Sequence, residues 1–250
     1  MKTTFRISRV SSVLIVFALM ALSGLTVSIQ TAQAATQFRL VRTLISPTPT
    51  GGSFFGKTLG VAGDRFLVGS DDCLIACGAV HVFDNDGNFI RTILPPTAEV
   101  SSLFGDSVGA MGSNVLVGAP LDDTAGEDAG AAYLFDGATG DLLQTFLNPN
   151  PDHPPFSPDR FGSSVAGFGN DVLVSAPLED IAAEDAGAVY LFDGTGQLLR
   201  TFLSPNPNPI GTVFGSAIAV VGNNIAIAAG LDSTAAENGG RFTFSMAMET

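Results

Sequence analysis

Short apolar runs rich in Val, Ile, Leu and Phe recur along the chain, separated by breaks that carry Gly, Asn or Asp. Within a run, apolar residues stand at both alternating positions. A strand covered on both faces reads that way, whereas a half-exposed one alternates apolar with polar. The runs follow a fixed order. One follows a Phe-Gly pair and stops at Gly63-Asp64, Gly112-Ser113-Asn114, Gly169-Asn170 or Gly222-Asn223. The next reads FLVG, VLVG, VLVS or IAIA, then AVHVF, AAYLF, AVYLF or RFTF, then RTIL, QTFL or RTFL. The Gly/Asn breaks supply the positive φ that tight hairpin turns need. No helical period stands out beyond the N-terminal segment.

The Phe-Gly marks fall at Phe55-Gly56, Phe104-Gly105, Phe161-Gly162 and Phe214-Gly215, so the units begin near 54, 103, 160 and 213. Repeats of about fifty residues holding four antiparallel strands predict an all-β fold, a β-propeller of four-stranded antiparallel blades. The recurring Phe is expected to wedge between neighbouring blades. Leu40 to Pro47 (LVRTLISP) matches Leu198 to Pro205 (LLRTFLSP), a fourth strand with no preceding three. The last unit shows three strands. The expectation is therefore four blades closed by the N-terminal strand, with 40–46 pairing to the last unit's third strand and removing an exposed edge.

Residues 1–34 read as an address. Lys2, Arg6 and Arg9 precede the apolar run Val13 to Leu22, and Ala32-Gln33-Ala34 is a small-x-small site. This is the pattern of a secretory signal peptide cut near Ala34. A ten-residue apolar run falls short of the ~18 residues that cross a bilayer, so a membrane anchor is the lesser reading. The expectation is a propeller over 35–250, exported to the medium, periplasm or cell surface, monomeric and not inserted in a membrane. Beyond residue 34, eight basic residues stand against 24 acidic ones. That balance argues against nucleic acid and anionic membranes as partners.

The ordered units resemble FG-GAP repeats, the blades of the integrin alpha-subunit head and of many exported bacterial proteins. Phe161-Gly162, VLVSAP at 172–177 and GAVYLFDG at 187–194 carry the resemblance, and VLVGAP at 115–120 repeats it. The first unit reads Gly69-Ser70 and the fourth Ala229-Gly230 where the Ala-Pro would stand. The resemblance implies a propeller blade and a binding or adhesion role. It also implies seven blades, against four counted here, and a calcium loop of the form D-x-[DN]-x-D-G-x-x-D before the VGAP strand. Short Gly/Asn turns fill that space, too poor in oxygens for a six- to eight-ligand cage. No metal site or cofactor is carried over.

The loop between the second and third strands is acidic in every unit: Asp71-Asp72; Asp122-Asp123 with Glu127-Asp128; Glu179-Asp180 with Glu184-Asp185; Asp232 with Glu237. One reading is an acidic face for a cation, a cationic protein or a carbohydrate. The other is a solvated turn whose Asp side chains cap local backbone. Recurrence with the repeat itself favours the second. Cys73 and Cys77 stand in the first of these loops, and a local disulfide is the expected state of an exported pair. Asp84-Asn85-Asp86-Gly87 resembles the start of a calcium loop but lacks its distal Glu, and a hairpin turn is the expectation. His81 falls within a strand and His153 in a Pro-rich loop, and neither makes a case for catalysis. No GxSxG elbow, HExxH or Cys-His arrangement occurs. The leading reading is a non-catalytic module that binds an extracellular protein or glycan. The alternatives are a polysaccharide hydrolase or lyase, and a structural piece of a larger assembly.

Overall fold

A computed structural model describes residues 40–49, 54–70, 78–97, 101–151, 158–207, 211–231 and 241–245, the last as backbone alone. Every element in them is a strand. The first sheet runs β1 (Thr58–Ala62), β2 (Arg65–Ser70), β3 (Ala79–Phe83) and β4 (Phe89–Ile93). The second comprises β5 (Ser107–Met111), β6 (Asn114–Ala119), β7 (Ala131–Phe135) and β8 (Leu142–Leu147). The third comprises β9 (Val165–Phe168), β10 (Asp171–Ala176), β11 (Ala188–Asp193) and β12 (Leu198–Leu203). The fourth has β13 (Phe214–Val221), β14 (Asn224–Ala229) and β15 (Arg241–Ser245). Each sheet is an up-and-down antiparallel meander in chain order, as the repeat predicts for the blades of a β-propeller.

Two-residue turns join the first two strands of every sheet, with Ala62 paired to Arg65, Met111 to Asn114, Phe168 to Asp171 and Val221 to Asn224. Gly63, Gly112, Gly169 and Gly222 open these turns with φ near +60°, so the glycines are the turn chemistry that the sequence announces. The middle strands are buried along their length: all of β3 and β7, and all but the first residue of β6 and β10. The outer strands are not, since β4, β8 and β12 each start with two exposed apolar residues.

Apolar layers fill the spaces between consecutive sheets. Leu67, Val80, Val82 and Ile93 of the first sheet meet Phe104, Val117 and Tyr133 of the second unit. Leu116, Leu134 and Phe146 meet Phe161, Val174 and Tyr190, and Leu173 and Leu191 meet Phe214 and Ile227. Phe104, Phe161 and Phe214 are the expected wedges, each at most 2% exposed. The glycine after each wedge has φ between +88° and +96°. A Cβ at Gly162 would run into the carbonyl oxygen of Ala131, so this close approach needs glycine on two counts.

Closure by the N-terminal strand is not seen among the described residues. Residues 40–46 carry no strand, and the fourth sheet has three strands with no partner for β15 among the described residues. Arg42 Nη1 donates to the carbonyl of Asp86 at 2.6 Å and to Oδ1 of Asn88 at 3.0 Å. These bonds set the segment beside the β3–β4 turn of the first sheet, and it makes no strand pairing there. The four sheets stack in sequence, and among the described residues no strand joins the last to the first.

Candidate functional site

The acidic residues of the second and third units divide by depth. Asp122 and Glu179 are fully buried. The phenol of Tyr133 donates to Oδ2 of Asp122 at 2.5 Å, and that of Tyr190 donates to Oε2 of Glu179 at 2.6 Å. Burial first, and then the bond to Asp122, push the Tyr133 phenol well above its ordinary pKa. Both acids belong to the framework. The backbone repeats with them: Gly130 N–H donates to the carbonyl of Asp122, and Gly187 N–H to that of Glu179.

The second acid of each pair is exposed and caps its own loop. Oδ1 of Asp123 accepts the N–H of Asp128 at 2.7 Å, and Oδ1 of Asp180 accepts that of Asp185 at 2.6 Å. Asp128 and Asp185 take left-handed φ, +52° and +49°, a conformation that Asp tolerates better than most residues. Burial, and then the charge of Asp180, raise the Asp185 carboxyl above its ordinary pKa. Glu127 and Glu184 stand exposed beside them. Units two and three therefore present the same scaffold, a buried acid under a capped loop, with Asp123, Glu127, Asp180 and Glu184 outward. Asp71, Asp72, Asp232 and Glu237 lie outside the described residues, as do Cys73, Cys77 and His153.

Asp84 forms a hairpin turn. Its Oδ1 accepts the N–H groups of Asp86 and Asn88, and Gly87 N–H donates to its carbonyl. The same residue recurs as Asp136 and Asp193, and backbone and side-chain donors in the turn hold all three carboxyls below their ordinary pKa. His81 is buried, with Nε2 3.1 Å from Ser70 Oγ and Nδ1 2.9 Å from Thr92 Oγ1. It occupies the place that Tyr133 and Tyr190 hold in their units. No group of three or more His, Cys, Asp or Glu among the described residues is arranged to hold a metal ion.

The sequence reading missed a polar cluster under the third unit's loop. Asn148 Nδ2 donates to Asp159 Oδ2 at 2.7 Å, and Asn150 Nδ2 to Glu179 Oε1 at 3.0 Å. Asn148 and Asp159 are buried. The signal lay in the repeat alignment: Ser204 and Thr212 fill the matching places one unit later and bond to each other at 3.0 Å. The pair ties the Pro-rich connectors that enter the third and fourth units to those units.

The FG-GAP repeat family matches residues 89–135 and 157–192. No curated protein matches the chain. Among solved structures, a protein of unknown function from Bacteroides caccae is similar at 13% identity and a TM-score of 0.44. The match covers 73% of this chain and 55% of that one, so the chain spans little more than half of its neighbour's length. The matched stretches hold most of the second and third units, so FG-GAP repeats are present there, with the wedge Phe, the left-handed Gly and the Ala-Pro strand end in place.

Proposed function

We propose that the chain is an exported, non-catalytic binding module whose acidic loops contact an extracellular protein or glycan. The observation that supports it is the duplicated scaffold at 120–130 and 177–187. Each loop is fixed from below by a buried acid and from within by a capping Asp. Each leaves two carboxylates exposed in a geometry that costs little further ordering on binding. The charge of the loops suits a cationic protein surface, or sugar hydroxyls that donate to carboxylates. Export rests on the basic start, apolar run and Ala32-Gln33-Ala34 of the first 34 residues.

The test is a glycan array and a pull-down from cell-surface extracts, comparing the wild-type chain with a D123N/E127Q/D180N/E184Q variant. The buried Asp122 and Glu179 are left intact, so the fold is kept. Binding should fall at least tenfold in the variant. Undiminished binding would remove these loops from the function.

A further inference from the structure

We propose that the outward face of the first sheet is an interface for a second copy of this chain, which seats its fourth sheet there. Three internal junctions define what such a face is for. In each, the side of a sheet that bears its wedge Phe is covered by the preceding sheet. The first sheet has that side too, with Phe55 tilted over His81 and set edge-on to Phe83. No described residue covers it: Leu59 is 73% exposed and Val61 59%, where their counterparts Val108 and Ala110 pack into the first junction.

Residues 42–46 show what belongs on that face. Arg91, in the outer strand of the first sheet, donates from Nη2 to the carbonyl of Ala138 in the next sheet's outer turn, beside Gly140. Gln144, at the same place in the second sheet, lies against Gly196 in the turn of the third. Arg42 holds that place in the repeat, and it bonds the Asp86–Asn88 turn and lies against Gly87. The segment therefore sits where the outer strand of a preceding sheet would sit, with no other strand of such a sheet beside it among the described residues.

The fourth sheet is the complement: three strands, and none beyond β15 among the described residues. Its side away from the third sheet carries Ala217, Ala219 and the exposed Val221, apolar and small. Placed on the first sheet of another copy, it would cover Leu59 and Val61 and align β15 with 42–46. The contact is head to tail, so two copies can close it twice or more copies can extend it. One feature of the internal junctions is lost there. Thr58 and Ser107 donate to the carbonyls of Gly105 and Gly162, each at 2.8 Å, while the matching residue of the fourth sheet is Ala217. The association is therefore weaker than an internal junction and depends on concentration. It replaces the single-chain ring expected from the sequence.

The test is sedimentation of the chain from residue 35 over a hundredfold range of concentration. Mass should rise to a dimer or beyond. L59E/V61E blocks every first-sheet face and V221E every fourth-sheet face, so each variant alone should be monomeric with an unchanged circular dichroism spectrum. An equal mixture should form heterodimers, because each variant supplies the face the other has lost. A T43C/T243C chain, with Cys73 and Cys77 replaced by serine, reports the strand pairing, since Thr43 and Thr243 match the paired Thr201 and Tyr190. A crosslink between chains is expected. A wild-type chain that stays monomeric, a mixture that stays monomeric, or a crosslink within one chain would overturn the proposal.

Discussion

Single side chains decide whether the repeat can be built. Tyr133 lends its only proton to a carboxylate that has no access to water. Tyr133→Phe leaves Asp122 buried with one donor fewer, and a group so stranded costs about 1–3 kcal/mol. Urea unfolding should register a loss of that size for Y133F, while D123N, on an exposed cap, should cost under 1 kcal/mol. Asp185 carries the opposite sign. Its raised pKa means that the folded chain disfavours its charge, so its contribution improves as pH falls through the folded pKa. Asp185→Asn removes the charge and keeps a residue that accepts positive φ. Its melting temperature should exceed wild type at pH 7, and the difference should shrink on acidification. A difference that grows on acidification would contradict the assignment.

At the scale of the element, the strands and turns were the legible part. Gly63, Gly112, Gly169 and Gly222 announce two-residue turns, and the four turns are there. The apolar runs announce buried strands, correctly for β3 and β7 but not for β4, β8 and β12. An outer strand shares the composition of an inner one, and only its place at the sheet edge exposes it. Asp84 was legible as a turn former, and Asp136 and Asp193 hold the same place in the next two units. Asp84, Asp136 and Asp193 have depressed pKa values, so they stabilise the fold above the unfolded carboxylate pKa near 4 and lose that effect as pH falls through the folded values. Melting temperatures between pH 6 and pH 2.5 should therefore fall less steeply for D84N/D136N/D193N than for wild type.

For the whole molecule, self-similarity carried the count and order of sheets but not their closure. LVRTLISP matches LLRTFLSP, yet the match says only that the segment resembles an outer strand. Which sheet it joins depends on how far each stacked sheet turns from the last, a quantity with no counterpart in residue identity. Arg42 sets the segment beside the first sheet's outer turn, and that meaning appears only beside Arg91 and Gln144. The candidate loops were half legible for a related reason. The acids could be counted, but the split between framework (Asp122, Glu179) and surface (Asp123, Glu127, Asp180, Glu184) follows from which side chains reach Tyr133 and Tyr190.

The central claim is that repeat units stack through one kind of junction, made at Phe104, Phe161 and Phe214 and left open at Phe55. Four single Phe→Ala variants, unfolded in urea at a concentration where the chain is monomeric, test it directly. Truncating a buried Phe costs about 3–5 kcal/mol, and truncating a half-buried one much less. The first three variants should lose stability on that scale, and F55A should lose less than half as much. An equal loss at all four positions would contradict the account, because it would mean that the outward face of the first sheet is already covered within a single chain.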